Sequence, residues 1–126
     1  MHSQTRASPN FVVWAGVVGA SGVALGAFGA HGLRQVLSLE SLATWHTGVE
    51  YQLWHAAALL ALGLYGQATA RSVTVAASLM LVGIALFSGS LYALAVTGFR
   101  PLGFVTPFGG LCLLGSWLMI AWSLRR

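Results

Sequence analysis

His46 and Glu50 stand four residues apart. On an α-helix that spacing sets imidazole and carboxylate about 40° apart on one face, close enough to pair. With His31 they supply the donor types of a zinc or iron site, although no ExxH pair or HExxH run accompanies them. The competing reading is an interfacial hydrogen bond, or an ion pair of Glu50 with Arg34 or Arg100. His55 follows Glu50 by five residues, about 7.5 Å further along a helix and about 140° round it. It comes one turn after Tyr51, and a buried neutral ring bonded to a serine or tyrosine hydroxyl is expected, with Ser88, Ser90 and Tyr92 available. A haem ligand is the alternative, but no second histidine is expected at a matching depth. Cys112 is the single cysteine, so neither an internal disulfide nor a CxxC redox pair can form.

These groups must be positioned by helices in lipid. Of the 126 residues, 57% are hydrophobic and 6% charged. Soluble domains carry about a quarter charged residues, so water cannot be the main solvent of this surface. Arg6, Arg34, Glu40, Glu50, Arg71, Arg100, Arg125 and Arg126 leave the uncharged stretches Ala7 to Leu33, Tyr51 to Ala70, Ser72 to Phe99 and Pro101 to Leu124. Each reaches the ~20 residues a membrane-spanning helix needs. The sequence therefore predicts an all-α integral membrane protein, a four-transmembrane-helix bundle with spans at about 11–31, 47–66, 73–97 and 106–124. A polar tail (1–10), entering the first helix at Pro9, and a short interfacial segment between helices 1 and 2 complete one membrane domain, 11–126. The apolar run from Phe11 to Ala30 exceeds a signal-peptide core and only Arg6 precedes it, so the first span is expected to be retained.

Four spans place both termini on one side, with Arg6, Arg71, Arg125 and Arg126 against Arg34 and Arg100 on the other. The positive-inside rule then predicts cytoplasmic termini. The net charge of +4 comes from arginines scattered among loops and termini, with no lysine. They form no basic stripe, so nucleic acid is not an expected partner.

Gly19, Gly22, Gly26 and Gly29 recur at intervals of three, four and three. They share one helix face that admits a close neighbour, within the bundle or between protomers. From Gly32 to about Trp45, apolar and polar residues mix as in a segment lying at the membrane surface. Ser38 or Ser41 would cap the next helix, with Glu40 in its first turn. Gly98-Phe99-Arg100-Pro101 breaks the chain, and Trp117 and Trp122 suit the cytoplasmic interface. If the second span enters near residue 47, Glu50 lies about 5 Å inside the surface. Insertion scales put an ionisable group at a helix centre at about 2.5–3.5 kcal/mol, so depth decides its significance. His31, Arg34, His46, Glu50 and Arg100 are thus expected to converge on the outer face, with Ser88 as deep as His55.

Gly26-Ala-Phe-Gly-Ala-His31-Gly, Thr47-Gly-Val-Glu50-Tyr51-Gln52 followed by His55, Leu86-Phe-Ser-Gly-Ser-Leu-Tyr92 and Thr106-Pro-Phe-Gly-Gly110 together resemble the YgdD/YwdK family. These are small bacterial inner-membrane proteins classed as a domain of unknown function, with mitochondrial relatives. The resemblance covers nearly the whole chain after the tail. It implies a four-span bundle in the cytoplasmic membrane and marks His31, Glu50, Tyr51, Gln52, His55, Ser88, Ser90 and Tyr92, but implies no activity.

The sparse polar inventory and the glycine face favour a non-enzymatic accessory or assembly module of a membrane complex, or a small homo-oligomer. Its partners would be the lipid bilayer and a membrane protein or second copy. The alternatives are a small transporter or channel using Glu50, or a metal- or haem-binding protein using His31, His46, Glu50 or His55. No cofactor follows from the sequence.

Overall fold

Four long helices follow one another in the computed structural model: α1 (Phe11–His31), α2 (Leu39–Ala68), α3 (Thr74–Thr97) and α4 (Thr106–Ser123), with a 3-10 turn at Arg100–Phe104 ahead of the last. The structure describes residues 10–125; the tail with Arg6 and Pro9, and Arg126, lie outside the described residues.

Local chemistry sets the helix ends. Asn10 accepts from the Val13 N–H at 3.3 Å and starts α1. Ser38, not Ser41, caps α2, its hydroxyl accepting from the Ser41 N–H at 3.1 Å. Glu40 then sits in the first turn, where a carboxylate meets the positive end of the helix dipole. α3 stops at Gly98, whose φ of 67° needs a residue without Cβ. Pro101 and Pro107 open the next two helical segments.

α2 begins eight residues before the expected membrane boundary. The expected surface segment shrinks to the turn at 32–38, and residues 39–46 are regular helix. Leu42 and Trp45 are the reason, because they bury against Leu33, Val49 and Ala95 and give these first turns a protein core to pack on.

Helices adjacent in sequence pack side by side, α1 on α2, α2 on α3 and α3 on α4. The main core joins Phe11 and Ala15, Leu59 and Leu62, Met80 and Ile84, and Leu113, one group from each helix. Bulky apolar side chains such as Trp14, Val17, Val82, Phe108 and Leu118 point outward, as lipid contact requires. α1, α3 and the Arg100–Ser123 segment are long and apolar enough to cross a membrane. α2, which carries Glu40, His46, Glu50, Gln52 and His55, falls outside that set.

The glycine face of α1 is an intramolecular contact with α2. A Cβ at Gly19 would lie 3.8 Å from Ala56, at Gly22 2.8 Å from Leu53, at Gly26 3.1 Å from Val49 and at Gly29 2.5 Å from Trp45. Gly63 on α2 meets Val12 in the same way. The two helices thus run antiparallel in a constant register, with α1 alongside residues 44–64. At the far side of the bundle, Gly109 of α4 touches the backbone of α3 at Phe87.

Gly109→Ala forces two backbones apart and is expected to cost about 1–3 kcal/mol. Gly16→Ala meets nothing within 4 Å, and is expected to leave stability unchanged or raise it by up to ~1 kcal/mol. Thermal unfolding in mild detergent checks both; equal melting of the two variants would contradict the α3–α4 contact.

Candidate functional site

The polar side chains of the interior meet at Gln52 of α2, which is 6% exposed. Its amide nitrogen donates to the Val18 carbonyl at 3.0 Å and the Ser21 hydroxyl at 2.9 Å on α1. Its Oε1 accepts from the Tyr92 hydroxyl of α3 at 2.6 Å. One side chain therefore ties three helices and spends its donors and its acceptor in doing so. Towards the 32–38 turn, the Trp45 indole donates to the Leu25 carbonyl at 2.9 Å and the Ser88 hydroxyl to the Gly48 carbonyl at 2.7 Å. The Trp45 and Tyr92 rings pack 4.6 Å apart. Both contacts need a missing Cβ, at Gly29 against Trp45 and at Gly48 against Tyr92.

His55, also 6% exposed, is bound at both ring nitrogens. Nδ1 lies 2.7 Å from the Tyr51 carbonyl, and Nε2 lies 3.0 Å from the Trp117 Nε1 of α4. A carbonyl only accepts and an indole N–H only donates, so Nδ1 carries the proton and Nε2 offers its lone pair to Trp117. This corrects three expectations. The partners of His55 are a backbone carbonyl and an indole rather than a serine or tyrosine hydroxyl. Ser88 sits at the level of Gly48, about two turns from His55. The haem alternative loses its ligand atom, because Nε2 is already engaged. Trp117, about half exposed, donates to His55, and Trp122 lies 3.8 Å from the Arg125 guanidinium.

Ser90 pairs with Thr106 at 2.5 Å, and the Ser116 hydroxyl donates to the Ala76 carbonyl at 2.7 Å, tying α3 to α4. Among the described residues no buried polar side-chain atom lacks a partner. Among the described residues the buried serine hydroxyls form hydrogen bonds between helices.

The charged candidates are not gathered. His31, Arg34, His46, Glu50 and Arg100 are all exposed, and among the described residues no three histidine, cysteine or acidic side chains cluster as metal ligands. The register explains the failure of the His31, His46, Glu50 set. Glu50 is level with Leu25, six residues below His31, or about 9 Å along the helix axis instead of the 5 Å counted from sequence. His46 and Glu50 do share a face of α2, but it points away from the bundle. Arg100 lines a cavity of about 310 Å³ with Glu40, Ser41 and Thr44, so its neighbouring acid is Glu40 and not Glu50.

Sequence reasoning missed Ser21, Trp45, Gly48 and Ser116, which bond across helices. Trp45 stands seven residues before Gln52, the repeat of one helix face, and that spacing was the available signal. Arg71 was also missed as a structural residue; its guanidinium donates to the Arg125 carbonyl at 3.0 Å, a cation at the negative end of α4.

A family model described as "protein of unknown function (DUF423)" matches residues 25–110. The UPF0382 membrane protein YwdK of Bacillus subtilis is 44% identical over 112 residues, covering 87% of this chain and 91% of that protein. A UPF0382 membrane protein of Haemophilus influenzae is 43% identical over 101 residues, with 80% and 82% covered. The UPF0382 inner membrane protein YgdD of Escherichia coli is 38% identical over 119 residues, with 90% and 88% covered. No solved structure gives a significant match.

Tyr92→Phe leaves Gln52 Oε1 without its donor and is expected to cost about 1 kcal/mol. Combining it with Gln52→Leu should cost less than the two single changes added, because the orphaned acceptor is removed. Unfolding midpoints of the four proteins in a denaturing-detergent titration measure this; strict additivity would mean the bond carries no coupling.

Proposed function

Because the chain belongs to the DUF423 family of membrane proteins, we propose that it is a non-enzymatic four-span protein acting as an accessory or assembly module of a membrane complex, or as a small homo-oligomer. The observation that carries this reading is the consumption of the interior polar groups in bonds between helices. Catalysis needs groups held ready for a substrate, and here the side chains that could serve hold the bundle together.

The fourth span is α2. It lies beside α1 in one register over the full length of α1, so a membrane crossed by α1 is crossed by α2 as well. Its polar side chains Gln52 and His55 are tolerable there because both are bonded to neighbouring helices. The arginine distribution supports cytoplasmic termini, and the inner-membrane name of the Escherichia coli relative supports the bacterial cytoplasmic membrane.

A second reading, proton-coupled transport through Glu50, gains from the register, which sets this carboxyl deeper than the sequence count does. Two measurements separate the readings. Purification in mild detergent is expected to yield a stoichiometric partner or a defined oligomer, and reconstituted vesicles are expected to show no substrate-driven proton release. Proton release abolished by Glu50→Gln would instead establish the transporter.

Topology has its own check. In a Cys112→Ser background, Gln35→Cys is expected to react with an impermeant maleimide applied outside intact cells and Gln67→Cys to stay unlabelled. Labelling of both, or of Gln67→Cys alone, would overturn the proposed arrangement.

A further inference from the structure

We infer that the outward face of α2 is an interface with a second copy of this chain, centred on Glu50 within the membrane. The inference deepens the homo-oligomer branch of the proposed function and rests on α2 being a span.

Ala43, Thr47, Glu50, Trp54, Ala57 and Ala61 follow at alternating intervals of four and three, and all six are exposed. They form a single stripe on the side of α2 turned away from α1 and α3. Glu50 lies in the middle of this stripe. Its level is that of Leu25, four residues from Ser21 at the midpoint of α1, or about 6 Å from the centre of that span. An ionisable side chain at such depth faces protein or water in membrane proteins and is costly against hydrocarbon. Yet within this chain Glu50 faces outward, and the arginines that could answer it lie beyond the helix ends or in the turns. Among the described residues no side chain covers this exposed carboxyl, an arrangement that is costly against hydrocarbon.

The shape of the face fits another helix. Four of the six stripe residues are alanine or threonine, and Trp54 is its one bulky side chain. Small residues let helix backbones approach closely in lipid, and the alternating spacing is that of a packed helix seam.

Chemistry selects the occupant. Two copies inserted with the same topology present α2 to α2 in parallel, related by a twofold axis in which each contact occurs twice. Glu50 of one copy then comes within one turn of the His46 imidazole of the other, towards the 32–38 end, while the Thr47 hydroxyl stays bonded to the Ala43 carbonyl of its own helix. Each copy supplies both the acid and its hydrogen-bonding complement, so no foreign basic residue is required.

The test uses the full chain in native membranes, in a Cys112→Ser background. Ala57→Cys sits on the stripe, and Ala20→Cys sits on the exposed side of α1 away from α2, at a similar level. Under copper-phenanthroline oxidation, Ala57→Cys is expected to give a disulfide-linked band at twice the chain's mass and Ala20→Cys none. Adding Glu50→Leu should reduce the Ala57→Cys band about tenfold, while Glu50→Gln, which still hydrogen-bonds, should retain at least about half of it. Unchanged helical circular dichroism verifies that the variants fold. Absence of the dimer band, an equal band in Glu50→Leu, or a cross-link to a protein of different mass each overturns the inference. The last result leaves the accessory-module reading standing. Labelling of Ala57→Cys by an impermeant maleimide in intact cells identifies the other failure, that α2 is not a span.

Discussion

The contact between the α1 glycines and α2 is the constraint on which the rest of the structure depends. Gly22, Gly26 and Gly29 bring the two helices close enough for Trp45 and Gln52 to reach backbone carbonyls of α1. With side chains at these positions the helices would separate, and both donors would fall short of Leu25 and Val18. The same register fixes the height of every residue on α2. It decides that Gln52 meets Tyr92, that Gly48 lies under Ser88, and that Glu50 faces outward deep in the bundle rather than near its end.

In water, burial of apolar surface would drive such a bundle together. In lipid that force is missing, because the tails are as apolar as leucine, and packing and hydrogen bonds must do more. The distribution of polar groups follows from this. Polar ties run from α2 to α1 at Gln52 and Trp45, from α3 to α2 at Ser88 and Tyr92, and from α4 to α3 at Ser116. Trp117 closes the set by linking α4 to α2 through His55. α2 takes part in every one of these ties except that of Ser116. Gln52 and His55 are tolerable there because neighbouring helices satisfy them.

That economy separates two kinds of ionisable residue. His55 is bonded at both nitrogens and acts as a bracket between α2 and α4. Glu50, five residues away, lies on the face that none of the described residues covers. Burial and exposure on one helix thus separate an inward, fully bonded histidine from an outward carboxyl.

The number, length and rough limits of the helices were readable from the sequence, because uncharged runs of about 20 residues have no other stable use than helices in lipid. The Ser38 cap and the glycine face were readable too, since both depend on local spacing. The start of α2 was not, because Leu42 and Trp45 extend the helix only once Leu33 and Ala95 are there to cover them. The partner of His55 was hidden for a similar reason: Trp117 is 62 residues away in the chain, and its own composition pointed to an interface. Depth was the last quantity withheld. Hydropathy marks where apolar runs begin and end, whereas the height of Glu50 follows from how α1 and α2 slide against each other, and only the packed glycines determine that.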